Sequence, residues 1–186
     1  MTIFLTGDQH FGHVSNRGGV IKYCNRPFSN IDEMDDALIK TWNTIVSPDD
    51  LVYHLGDFTL GNRLVAEKYF RRLNGYIRVL DNPWHHDRKW LRGQMYYSAQ
   101  HEVVYDQPIV VLEHETEVPV VLCHYPFENW DRKHYESIHL HGHSHGATLR
   151  VKNRLDIGVD SAYKLTGEYR PLSLEEACKF AREVNA

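Results

Sequence analysis

Residues 2–10 read Thr2-Ile3-Phe4-Leu5-Thr6-Gly7-Asp8-Gln9-His10. A short apolar, β-favouring run meets a Gly-Asp pair and then a histidine. The pattern returns twice. Leu51 to Leu55 reads as a second strand ending in Gly56-Asp57, and Tyr76 to Leu80 as a third ending in Asp81-Asn82. Between the first two, Ile31, Met34, Leu38, Trp42 and Ile45 recur at three- and four-residue steps, which predicts a helix over 31–46. Asn30 and Glu33 form a capping pair at its start, and Ser47-Pro48 ends it. A further helix is predicted over 62–73, with Leu64, Tyr69 or the stem of Lys68, and Leu73 on one side and Gly75 as its stop. The order β-α-β-α-β places the chain in the α/β class.

The second half changes character. Val103-Val104, Ile109 to Leu112 and Val118 to Leu122 are β-rich, with Glu115-Thr116-Glu117 as a turn. Ile138 to Leu140 leads into a histidine cluster, and Arg154 to Val159 reads as another strand. Ser173-Leu174-Glu175-Glu176 is a capping box that opens a C-terminal helix with Leu174, Ala177, Ala181 and Val184 inward. This order suggests two sheets packed on each other with helices outside.

The composition bounds the function. At 186 residues the chain is expected to be one domain over 1–186. With 42% hydrophobic and 25% charged residues it is neither disordered nor fibrous. Its apolar runs stop at four or five residues, against the ~20 that span a bilayer, so no membrane partner is expected. The N-terminus lacks the basic start of an export signal. A cytoplasmic location with reduced thiols is therefore expected for Cys24, Cys123 and Cys178, with Cys123 a small buried hydrophobe. A formal charge of −4 argues against an extensive nucleic-acid surface. Oligomeric state is not legible. One count stands out: 13 residues are histidine, a side chain suited to metal ligation and proton transfer.

Those histidines gather with carboxylates at the ends of strands. One strand ends in Asp8-Gln9-His10, others in Gly56-Asp57, Asp81-Asn82, Cys123-His124 and His141-Gly142-His143-Ser144-His145. In open α/β sheets the carboxyl ends of strands form the ligand crevice. Each piece alone is ordinary: Gly-Asp is a turn, and a lone histidine is more often core than ligand. Five strand ends together offer Asp, His, Asp, Asn, His, His and His. Such a set exceeds the needs of one tetrahedral ion and suits two ions that share a bridge.

These motifs resemble the calcineurin-like metallophosphoesterases, whose pattern is DxH, GD, GNH(D/E), H and GHxH. Here DxH is Asp8-Gln9-His10, GD is Gly56-Asp57, the single histidine is His124, and GHxH is Gly142-His143-Ser144-His145. The resemblance runs from about residue 2 to 160. It looks closest to small bacterial and phage-type members, on Asp8 to His13, Tyr23 to Phe28 and Val159-Asp160. It implies a four-layer α/β/β/α sandwich of two mixed sheets. It also implies two divalent ions, drawn from Mn, Fe, Ni and Zn. One ion would be held by Asp8, His10, Asp57 and His145. The other would be held by Asp57, Asn82, His124 and His143, with Asp57 as the bridge. The implied reaction is hydrolysis of a small phosphoester by a hydroxide between the ions. Monoester, diester and cyclic nucleotide are all compatible.

One motif departs from the pattern. Asp81-Asn82-Pro83-Trp84-His85-His86-Asp87 replaces Gly-Asn-His-Asp. Aspartate tolerates unusual backbone angles less well than glycine, and Pro83 fixes its own φ. The histidine that protonates the leaving group is absent from its slot. His86 can replace it through a looped insertion, and His85 is its competitor. Arg26, Arg17 and His13 are candidates for steering the phosphate. His54, two residues before Gly56, reads as core. Two other readings remain. Gly142-His143-Ser144-His145-Gly146 matches the G-x-S-x-G nucleophile elbow. That elbow requires a following helix and a later triad histidine, and no histidine follows His145. A metal-binding scaffold without turnover is the non-enzymatic alternative.

Overall fold

The structure, a computed structural model, describes residues 1–183 except 16–17, 83, 92–96, 99–100, 105–106, 114–115 and 149–150. Arg17, Pro83, Glu115 and Val184 therefore lie outside the described residues. Two mixed sheets form the chain's frame. In the first, β1 (Ile3–Thr6), β2 (Leu51–His54), β3 (Tyr76–Leu80) and β5 (His101–Val104) run parallel. Antiparallel β10 (Leu172–Ser173) and β4 (Tyr97–Ser98) form its two edges. In the second, β7 (Val120–Cys123), β8 (Ile138–His141) and β9 (Arg154–Asp156) run parallel, and β6 (Ile109–Leu112) is antiparallel at one edge.

The alternation of strand side chains sorts the core in two. Phe4, Val52 and Ile77 are in register across the first sheet. They belong to the apolar cluster that holds Met34, Leu38 and Trp42 of α2 (Ile31–Ile45) and Ala66, Tyr69 and Phe70 of α3 (Arg63–Phe70). The opposite set, Leu5, Tyr53 and Leu80, joins Leu112, Val120, Leu122, Leu140 and Leu155 of the second sheet in another cluster. Helices thus cover one face of the first sheet, and the second sheet covers the other. At about 1.5–3 kcal/mol per fully buried large apolar side chain, this alternation fixes which way every strand faces. The parallel pairing within each sheet gives its strands a common direction, with their carboxyl ends at one edge.

Helix ends follow their caps. Asn30 accepts the Glu33 backbone N–H at 2.9 Å, as expected, although Glu33 returns its bond to Ser29. Ser173 and Glu176 form the reciprocal box at the start of α6 (Leu174–Arg182). That helix buries Leu174, Ala177, Cys178 and Ala181 and touches β1, β8, β9 and β10, so it contacts both sheets. No described helix is long and apolar enough to cross a membrane.

Several expectations are corrected. The helix expected over 62–73 stops at Phe70, and Leu64 is 72% exposed because the buried face is Ala66, Tyr69 and Phe70. The strand expected over 154–159 stops at Asp156. There the Asp156 carboxylate accepts the Gly158 N–H at 2.8 Å, and Gly158 caps α5 (Val159–Thr166). The β-branched Ile157 and Val159 on either side of Gly158 conceal this turn. Two short helices, α1 (Gly19–Tyr23) and α4 (Arg88–Leu91), carry no signal strong enough to read in advance.

Candidate metal centre

Four of the five strand ends named from the sequence bring their donor atoms together. Asp8 and His10 follow β1, Asp57 follows β2, Asn82 follows β3, His124 follows β7, and His143 and His145 follow β8. Two groups of donors result. Asp8, His10 and His145 each bring one donor atom within 4.8 Å of the others, and so do Asp57, His124 and His143. Asp57 joins them: its Oδ2 lies 3.7 Å from His10 Nε2 and 3.7 Å from His124 Nε2.

Backbone geometry makes this convergence possible. Asp8, His10, Asp57, His143 and His145 all have left-handed φ, between 49° and 68°. They are five of the nine non-glycine residues with positive φ among the described residues. Such conformations are uncommon for L-residues and cluster where a site is held under strain. Cross-links hold them here. Asp8 N–H donates to Gly56 O, and His10 N–H to Asp57 O, both at 3.0 Å. The His143 N–H donates to the Asp8 carboxylate at 2.9 Å. Glycines leave the space: a Cβ at Gly158 would stand 2.3 Å from Asp8 Oδ2, and one at Gly56 would stand 2.9 Å from His124 Nδ1.

Burial and neighbouring charges shift titrating groups of the site. Burial, together with Asp156 and Asp57, raises the Asp8 carboxyl well above the usual range, although His145 opposes this. Burial and the neighbouring rings and Arg26 lower His10 well below its ordinary value. Burial, His85 and His143 push His124 down to about 2. Neutral imidazoles keep a lone pair for a cation. His145 differs. Burial opposes its charge, but its bond to Asp160, with Cys24 and Asp8 beside it, pushes it up to about 11. His10 Nδ1 and His124 Nδ1 are buried without a hydrogen-bond partner. Crowded carboxylates, neutral histidines whose Nε2 atoms face Asp57 and a glycine cradle fit a pair of divalent cations of the imidazole- and carboxylate-binding type.

The departing loop folds back onto the site. The His86 backbone N–H donates to Asp57 Oδ1 at 2.9 Å. In return the Asp87 carboxylate accepts the Phe58 and Thr59 N–H groups and Trp90 Nε1 at 2.9–3.0 Å. This double clamp leaves the His86 side chain exposed, with its ring 5.9 Å from the His10 ring. Asp81 is not among the positive-φ residues, so its position does not call for a glycine. Asn82 is buried; its N–H donates to His85 Nε2 at 3.0 Å and its Oδ1 accepts the Trp84 N–H at 3.1 Å.

Other candidates are placed differently from expectation. His85 does not offer a free proton donor. Its ring is buried, Nδ1 accepts the Asp87 N–H at 3.1 Å, and Nε2 sits 3.0 Å from Leu80 O. Arg26 does not face a substrate. It is buried, with Nε and Nη2 on the two Asp160 oxygens at 2.8 Å, Nη2 also on Asp8 O at 2.6 Å and Nη1 on Gln9 O at 2.8 Å. His13 is at the rim, its ring 5.8 Å from that of His10. His54 is core: it is fully buried, accepts the Gly56 N–H at Nδ1 and meets Gln9 Oε1 at Nε2. Cys123 is buried. No helix follows Gly146 before Val159 among the described residues, so the nucleophile-elbow context is absent there.

Sequence reasoning missed Asp156 and gave no role at the site to Asp160 or Cys24, although the stretches that hold them carry the family likeness. Asp160 Oδ2 lies 2.6 Å and Cys24 Sγ 3.2 Å from His145 Nδ1. No spacing signal joins these residues, because they are more than 130 positions apart at the extremes.

No family model matches the chain. Over 77 residues, 40% of this chain, it is 47% identical to the uncharacterized protein MJ1445 of Methanocaldococcus jannaschii, and the match spans 42% of that protein's length. Over 183 residues it is 22% identical to the Gene 66 protein of Mycobacterium phage L5, across 85% of this chain and 86% of the other. Among solved structures, the protein of unknown function AQ665 from Aquifex aeolicus is similar, with a TM-score of 0.62 and 19% identity over 96% of this chain and 98% of that one. That likeness is one of fold.

Proposed function

We propose that this chain is a dinuclear metal-dependent phosphoesterase with the four-layer calcineurin-like arrangement. Its substrate would be a small phosphomonoester or phosphodiester, with nucleotides and cyclic nucleotides among the candidates. The observation that carries this reading is Asp57, whose Oδ2 stands 3.7 Å from a histidine of each donor group. One carboxylate between two ligand sets is the arrangement that two neighbouring cations require.

Asp8, His10, Asp57 and His145 would hold one divalent ion, and Asp57, Asn82, His124 and His143 the other. Such ions, when bound, supply activation of water and neutralisation of the phosphoryl oxygens. The chain's own residues do the rest. The two carboxylates Asp8 and Asp57 offset only part of the charge of two divalent ions, so the crevice attracts an anionic group. The His86 ring, exposed beside His10, carries the proton for the leaving oxygen. His13 at the rim contacts the substrate side of the crevice.

The test combines metal analysis of the purified chain with turnover of p-nitrophenyl phosphate and bis-p-nitrophenyl phosphate in Mn²⁺, Ni²⁺, Zn²⁺ and Mg²⁺. Two ions per chain and hydrolysis of at least one ester are expected. Asp57→Asn should lower turnover at least about 100-fold and weaken both ions, because it removes their shared anion. Full activity in that variant would remove the bridging role. Bound metal with no turnover on any ester would favour a scaffold.

A further inference from the structure

Arg26 and Asp160, which have no part in the catalytic reading, form a chain of contacts that ends on His145. Asp160 sits in the first turn of α5 and is 5% exposed. Its Oδ2 lies 2.6 Å from His145 Nδ1, and Arg26 grips both of its oxygens at 2.8 Å. Cys24, His145 and Asp160 also bring donor atoms close enough for a cation. The guanidinium, however, already fills both Asp160 oxygens, so this cluster is a hydrogen-bonded pin and not a third metal position.

We propose that Asp160 and Arg26 are positioning residues that orient His145 and bring it into register with Asp8 and His10, three of the four ligands of one ion. The inference rests on the dinuclear reading above. Asp160 takes the Nδ1–H of His145, which leaves Nε2 as the only ring atom that can face Asp8 and His10. A ligand histidine whose other nitrogen is held by a carboxylate has one available orientation and a more basic donor. Arg26 extends the same control. While holding Asp160 it donates to Asp8 O at 2.6 Å and Gln9 O at 2.8 Å, so it ties down the segment that presents Asp8 and His10. One buried fork therefore spans the segments after β1 and at the start of α5, and through Asp160 it reaches the segment after β8. The stacked rings of His10 and His145, 5.2 Å apart at 20°, are the visible result. Lysine, a single point donor, cannot hold two carboxylate oxygens and two carbonyls at once.

The experiment reads protons and binding as well as catalysis. Long-range ¹H–¹⁵N spectra of histidine-labelled protein, with His145 assigned by its loss in His145→Gln, are recorded without metal and with Zn²⁺. Nδ1 of His145 should carry a proton in both states, and only its Nε2 signal should move strongly with Zn²⁺. Equilibrium binding of Mn²⁺ to Asp160→Asn should show about 10–100-fold weaker binding of one ion, with the other unchanged. Arg26→Lys should weaken the same ion by less, which keeps the test available if Asp160→Asn fails to fold. A merely structural role would lower the melting temperature but weaken both ions alike. The proposal is overturned if Zn²⁺ displaces the proton from Nδ1, or if Asp160→Asn holds both ions as tightly as the wild type. Both results leave the phosphoesterase reading standing. A wild-type chain that binds no divalent ion overturns that reading itself, and the pin's role toward a metal with it.

Discussion

Asp57 and His86 act through main chain as much as through side chain. Asp57 adopts a φ of 56°, which turns its carboxylate between His10 and His124. His86 reaches the crevice because its own N–H binds Asp57 Oδ1. A residue held by its backbone presents its side chain at a set place, so truncating the ring should leave the clamp intact. His86→Ala is accordingly expected to keep the metal content and to lower hydrolysis by about 10²–10⁴-fold on esters with poor leaving groups. Little change is expected on p-nitrophenyl esters, whose leaving group needs no proton. Rates across a series of leaving-group pKa values check this, and an equal loss throughout the series would remove His86 as the acid. The residue types at these positions were legible in the sequence. The left-handed conformations were not, since no local rule sends an aspartate or histidine there.

At the scale of elements, caps and inter-helix bonds carry separable parts of the stability. Ser173 accepts the Glu176 N–H at 3.1 Å and opens α6, far from the crevice. Ser173→Ala should cost about 1 kcal/mol and lower the melting temperature by about 2–4 °C, with metal binding unchanged. Thermal unfolding monitored by circular dichroism measures both forms. Asp35 joins α2 to α3 and to the loop after His10: its Oδ2 accepts the Tyr69 hydroxyl and the Gly12 N–H. Burial pushes its carboxyl up to about 6, although those two bonds favour the ionised form. The folded state therefore holds this proton more tightly than the unfolded chain does. The stabilisation is full below about pH 4 and is lost as pH rises through about 6. Asp35→Asn stays neutral. The wild-type melting temperature should fall relative to this variant by roughly 5 °C between pH 4 and 7. A constant gap across that range would contradict the assignment.

Across the whole molecule, the donors come from both sheets: Asp8, His10, Asp57 and Asn82 from the first, His124, His143 and His145 from the second. A cation bound there links the two sheets through the crevice. Only the folded chain assembles the site, so binding is coupled to stability. Removal of metal by a chelator should lower the melting temperature by about 5–10 °C, as expected for a ligand at about 100 times its Kd. Re-addition of Mn²⁺ should restore it. A chelator-insensitive transition in a chain shown to bind metal would mean that the ions do not couple the sheets.

The amino-acid sequence by itself determined the α/β class, the main strands, the capped helices α2 and α6, and the residue types at the strand ends. Those follow from local periodicity, from caps a few residues long and from the habit of parallel strands to gather their carboxyl ends. Only the tertiary structure decided that Arg26 is buried against Asp160, that His85 is locked among backbone groups while His86 is exposed, and that a strand expected through Val159 turns into α5. His85 and the turn at Asp156–Gly158 close on partners within five residues, whereas Arg26 meets Asp160 134 positions away and His86 meets Asp57 29 positions away. Hydrogen bonding and burial at that range are set by how the two sheets pack, which no short window of sequence contains.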